Sequence, residues 1–143
     1  MSSKKITLSA LAVFLGAVIV HVSAAQQSSP APAAAPAPQV KRNVLLKQDT
    51  SIPGREAVMA RVEIPAGGAE GKHTHPADVF VFVNEGVVTV EHEGRPDATY
   101  KAGDVFTVES GKIHQAINHG DVTARLSAVF IAEKGKPLTT QVP

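Results

Sequence analysis

The chain has 143 residues, enough for one small domain, and only 4% of them are aromatic, so its core must be built from leucine, valine, isoleucine and alanine. Its formal charge is +1, from 14 basic and 13 acidic side chains, which offers nothing to attract nucleic acid or an anionic membrane. There is no cysteine, which excludes disulfides, thiolate catalysis and cysteine-ligated metal sites.

The N-terminus has the parts of a secretory signal: Lys4 and Lys5, an apolar run from Ile6 to Val20, then the small-residue sequence Val22-Ser23-Ala24-Ala25. These predict a signal peptide over residues 1–25, cut after Ala24 or Ala25, and an exported protein, periplasmic or secreted. The alternative is an uncleaved anchor, although the run falls slightly short of the ~18 apolar residues of a span. Cleavage removes Lys4 and Lys5, leaving 14 − 2 = 12 basic against 13 acidic side chains. Residues 26–39, QQSSPAPAAAPAPQ, bear no charge and no large apolar side chain; they read as a semi-extended linker. The folded domain is expected over residues 40–143.

Within it, Asn43 to Lys47 reads as a short first strand closed by Asp49, Ser51, Pro53 and Gly54. Ala57 to Ile64 alternates, with Ala60, Val62 and Ile64 on one face and Arg61 and Glu63 on the other. A Gly-rich loop, Pro65 to Lys72, delivers the chain to His73-Thr74-His75. In an extended segment His73 and His75 share a face, and two neutral imidazoles so placed make half of a site for Zn, Cu, Ni or Fe. Val79 to Val83 is apolar on both faces, so cover is expected on both, with Val79, Val81 and Val83 on the His75 side. Val87 to Glu93 is the next strand, with Val88 and Val90 inward, turned back by Gly94-Arg95-Pro96-Asp97. Further strands are expected at Val105 to Val108 and His114 to Asn118. In the last, Val122, Ala124, Leu126, Ala128 and Phe130 face in while Thr123, Arg125 and Ser127 face out; Glu133 to Pro143 reads as a polar tail. Short strands between turns, with no amphipathic helix, predict an all-β sandwich or barrel.

Two motifs give the pattern more definition. Gly67, five residues, His73-Thr74-His75 and the later Gly86 resemble the first motif of the cupin family. Gly103, five residues, Glu109-Ser110-Gly111, two residues, His114, three residues and Asn118 resemble the second. The likeness spans residues 57–131 and implies a small single-domain cupin, a single jelly-roll β-barrel, with His73, His75 and His114 as metal ligands. The chain departs from the pattern at Glu109, where the family has proline, and at Val79, where it has a glutamate ligand. Three imidazoles without that carboxylate leave a divalent ion at +2, so Zn, Cu or Fe is expected above Mn, with an open coordination position suited to a small anionic molecule. Asp78 substitutes for the missing glutamate only if a bulge after Pro76 reverses the facing of the strand.

Of the remaining candidates, His92 reads as a rim residue and His119 as solvent-exposed. Asn118 reads as a hydrogen-bonding residue of the barrel, and Glu56, Glu63, Arg61 and Arg125 as outward charges. One functional expectation is a metal-dependent enzyme, a Lewis-acid or dioxygenase-like centre, since some cupins with three-histidine sites are dioxygenases. The alternatives are a non-catalytic module that binds a metal or small ligand, and a degenerate metal-free barrel; no general base is evident beside the histidines. Phe80 and Phe82 project away from the histidines and predict a homodimer, unless the first strand, around Val44 and Leu46, covers them.

Overall fold

The structure, a computed structural model, describes residues 39–143; the expected signal peptide and the expected linker up to residue 38 lie outside the described residues. Ten strands follow one another: β1 (Lys41–Asp49), β2 (Arg55–Ile64), β3 (His73–Thr74), β4 (Ala77–Glu85), β5 (Val87–His92), β6 (Ala98–Lys101), β7 (Val105–Val108), β8 (His114–Ile117), β9 (Ala124–Glu133) and β10 (Thr140–Gln141). Among the described residues there is no helix. The strands form two five-stranded antiparallel sheets, one in the order β1-β2-β9-β4-β7 and the other β10-β3-β8-β5-β6. This is the all-β architecture that the alternation predicts, and the jelly-roll barrel that the resemblance implies.

The core lies between the sheets and is aliphatic. β2 contributes Val58, Ala60, Val62 and Ile64; β4 contributes Ala77, Val79, Val81 and Val83; β9 contributes Ala124, Leu126, Ala128, Phe130 and Ala132. Each set follows the period of two, so one face of each strand is removed from water and the other is left to it. At the tight turn between β4 and β5 only glycine is possible: Gly86 has φ +77°, and a Cβ there would lie 2.9 Å from the Cα of Ala124.

Several expectations need correction. Glu56 is not an outward charge; it is buried on the inner face of β2 and pairs with Lys47 of β1 at 3.0 Å. Val122 does not face in: it is 59% exposed, because β9 begins only at Ala124. Residues 133–143 are not a free polar tail. Leu138 packs against the core, Thr140 and Gln141 pair with Thr74 and His73, and the Val142 N–H donates to the Lys72 carbonyl at 2.9 Å. Nor does β1 cover the outer side of β4. It pairs with β2 at the far edge of the same sheet, leaving Phe80 53% and Phe82 43% exposed.

Asn118 fastens the loop that leads into β3. Its side-chain amide donates to the carbonyls of Ile64 at 2.9 Å and Val122 at 2.7 Å, and its oxygen accepts from the Gly120 N–H at 2.9 Å. Its backbone exchanges hydrogen bonds with the same loop, Gly67 N–H to the Asn118 carbonyl and Asn118 N–H to the Gly68 carbonyl, both 2.9 Å. One fully buried residue thus joins the end of β2, the Gly-rich loop and the turn before β9.

Candidate metal centre

His73 sits on β3 and is directly paired with His114 on β8, while His75 lies in the short connection from β3 to β4. All three rings are buried, and each offers a nitrogen within 4.8 Å of the other two. The His73 and His75 Nε2 atoms are 3.1 Å apart. Two nitrogens bound to one ion at ~2.0–2.1 Å would lie roughly 3.0–3.4 Å apart, so this pair already has the required spacing.

The opposite side of each ring is committed. Nδ1 of His73 donates to the Gly71 carbonyl at 2.7 Å, that of His75 to the Leu138 carbonyl at 2.7 Å, and that of His114 to the Lys112 carbonyl at 3.0 Å. A carbonyl oxygen only accepts, so each neutral ring carries its proton on Nδ1 and its lone pair on Nε2. This is the second hydrogen bond that metal-binding imidazoles ordinarily make, fixing tautomer and orientation together. It also leaves the His73 and His75 Nε2 lone pairs facing one another, an arrangement that is favourable only around a shared cation. Burial pushes the pKa values of His75 and His114 down to about 4, against the opposing effect of their backbone hydrogen bonds; neighbouring histidines lower both further, and Arg42 lowers that of His75. Both rings therefore keep their lone pairs at neutral pH.

Val79 lies on the inner face, as the unbroken alternation of β4 requires. Asp78 does not take its place. β4 keeps register with β9 from Ala77 through Val83, no bulge intervenes after Pro76, and the Asp78 carboxylate points outward to accept the Ser110 N–H at 3.1 Å. His92 is opposite His114 across β5 and β8 and stacks on it with ring centroids 5.9 Å apart, outside the triplet. His119 is exposed.

A cavity of about 40 Å³ opens beside the rings, lined by His75, His114 and an apolar wall that includes Val79, Val81, Phe106 and Phe130. The Phe130 and His75 rings meet edge to face, centroids 5.0 Å apart. Two charged residues also line it, Arg42 and Glu70, joined at 2.7 Å. Sequence reasoning missed this pair and the Leu138 carbonyl. Glu70 had the one available signal, its place three residues before His73; a backbone acceptor has no side chain to announce it.

The Thermotoga maritima oxalate-binding protein is 32% identical over 77 residues, covering 52% of this chain and 61% of that protein. Germin-like protein subfamily 2 member 1 of Arabidopsis thaliana is 35% identical over 88 residues, covering 56% of this chain and 40% of that protein. The chain thus spans less than two thirds of the length of these curated relatives. Among solved structures, a recombinant oxalate oxidase in complex with glycolate superposes with a TM-score of 0.58 at 25% identity, covering 71% of this chain and 55% of that one. The family model described as Cupin domain matches residues 60–131, half of the chain and all of both histidine motifs. On that match, and on the two-sheet barrel that carries it, the chain belongs to the cupin family.

Proposed function

We propose that the protein holds one divalent cation on the Nε2 atoms of His73, His75 and His114 and binds a small carboxylate of the oxalate class beside it. The observation that carries this reading is the set of three Nδ1–H···O=C hydrogen bonds, which commits all three rings to presenting lone pairs inward. The carboxylate follows from charge. Val79 puts an apolar side chain in the lining where a glutamate would have offset the ion, so a bound divalent cation keeps +2 and favours an anion. Size limits the ligand as well: a cavity of about 40 Å³ is open only to a small molecule. Relatives named for oxalate and a fold neighbour in complex with glycolate support that class. Glu70, the only carboxylate lining the cavity among the described residues, is engaged by Arg42, which favours holding the ligand over turning it over.

Calorimetry with Zn²⁺, Cu²⁺, Fe²⁺ and Mn²⁺, followed by oxalate into the loaded protein, tests the proposal. Wild type should rank Mn²⁺ last. Val79→Glu should raise Mn²⁺ relative to Zn²⁺ by about 10-fold or more and weaken oxalate, because the site falls from +2 to +1. Absence of metal binding by the wild type would reject the reading in favour of a metal-free barrel.

We also propose an exported homodimer. Phe80 and Phe82, with Met59, Val105 and Val129, line one apolar hollow on the outer face of β4 and its neighbours, and large apolar side chains so grouped seldom stay in water. The signal-like N-terminus supports export. Native mass spectrometry of the protein isolated from its producing cells reads both. The expected mass is that of two chains beginning at Ala25 or Gln26; a monomer with an intact Met1 sinks both claims.

A further inference from the structure

We propose that Arg42 and Glu70 form an exchangeable ion pair at the mouth of the cavity, and that an entering dicarboxylate takes the place of Glu70 on the Arg42 guanidinium. The inference rests on the metal and carboxylate reading above and assigns the second anchor of the ligand.

The placement of Arg42 comes from register. It is directly opposite Val62, whose side chain is buried in the core, so Arg42 faces inward, whereas its neighbour Lys41 lies opposite Glu63 and faces out. Arg42 is thereby brought from the edge strand of one sheet to a cavity whose imidazoles belong mainly to the other. Glu70 arrives from the opposite side. Its N–H donates to the Ala116 carbonyl at 3.0 Å, and it precedes Gly71, whose carbonyl holds the His73 ring. The two side chains meet at 2.7 Å, Arg42 36% and Glu70 11% exposed. Among the described residues they are the only charged side chains lining the cavity, whose other polar groups are the His75 and His114 rings.

The pair is open to solvent on the Arg42 side, so water and salt weaken it from that side. The arrangement suits a ligand with two carboxylates. One end is attracted by a cation on the histidines; the other meets a guanidinium whose planar fork receives a carboxylate through two parallel N–H···O bonds. Glu70, displaced and repelled by the dianion, turns to solvent. A monocarboxylate satisfies the first centre only, so the pair discriminates between the two classes and keeps Arg42 from closing the empty cavity with an unpaired charge.

The test is calorimetry of oxalate and acetate binding to Zn²⁺-loaded protein, with the Zn²⁺ affinity of each variant measured first. Arg42→Ala should weaken oxalate about 10- to 100-fold and acetate less than about 3-fold. Arg42→Lys should recover only part of the oxalate loss, because a point charge replaces the fork. Glu70→Gln should tighten oxalate several-fold by removing the competitor. Zn²⁺ affinity should stay within about 3-fold of wild type in all three. If wild type takes up no Zn²⁺, the metal reading itself fails. If it takes up Zn²⁺ but oxalate does not bind the loaded wild type at all, the carboxylate reading falls together with the exchange. If oxalate binds equally to Arg42→Ala and wild type, the exchange alone is overturned. The same follows if Glu70→Gln weakens oxalate as Arg42→Ala does, or if Arg42→Ala loses Zn²⁺, because the pair would then be a brace for the histidine loop.

Discussion

Replacing His114 with alanine should lower Zn²⁺ affinity by more than about 100-fold, while removing the neighbouring His92 should change it by less than about 3-fold. Loss of an outer hydrogen bond to a metal-bound imidazole already costs about 10- to 100-fold, and His114→Ala removes the donor atom itself. The two histidines are directly opposed across β5 and β8 and stack, so proximity alone would predict similar effects. What separates them is geometry: His114 has its Nδ1 committed to the Lys112 carbonyl and a nitrogen within reach of His73 and His75, and His92 lies outside that triplet. The domain should stay folded in both variants, because its aliphatic core on β2, β4 and β9 is untouched. Calorimetry decides it, with circular dichroism to verify the fold. Equal losses in the two variants would mean that the site is not the three-imidazole one.

The largest effect on stability is expected at Asn118. Asn118→Ala leaves two carbonyls, those of Ile64 and Val122, and the Gly120 N–H without their partners. A buried polar group stripped of its hydrogen bond costs about 1–3 kcal/mol, and the Ile64 site is fully enclosed, so a total of about 3 kcal/mol is expected. For a domain of this size that corresponds to a fall in Tm of roughly 12–24 °C. Asn118→Asp should be no better: it retains an acceptor for Gly120 but sets a carboxylate against two carbonyls. Thermal unfolding followed by circular dichroism measures both. A change of less than about 3 °C in Asn118→Ala would show that the loop before β3 is held by its backbone bonds alone.

The parts of this architecture that were legible in sequence are those governed by period two. β2, β4 and β9 have strict alternation, and their inner faces follow from it residue by residue; the same rule kept Asp78 outside and Val79 inside. His-x-His is legible for the same reason, and its meeting with His114 came through the spacing of the second motif. Where the period breaks, the reading failed. β1 shifts register between Val44 and Leu46, and its side chains are exposed or nearly so, so nothing in its pattern revealed that Arg42 faces the cavity or that Lys47 meets Glu56. Glu56 looked outward because a lone charge on a strand usually is; its buried position is compensated by a partner on another strand, which no local pattern shows. The segment after Glu133 has no periodicity and only isolated apolar residues such as Leu138 and Val142, and what it contributes to the site is the Leu138 carbonyl, with the Thr139 hydroxyl 3.3 Å from the same His75 nitrogen.

That last contact bears on the order in which the site comes into being. The carbonyl that orients His75 belongs to Leu138, 63 residues further along the chain. Ring convergence also needs β3 paired with β8, and β10 laid along β3. Each of these is a long-range closure whose entropic cost has to be met by strand pairing before any ring is aimed. In the unfolded polypeptide His73 and His75 are free to rotate and His114 is far from them along the chain. An ion held by these three rings would therefore arrive late, because its site exists only once the strands that aim the imidazoles have paired.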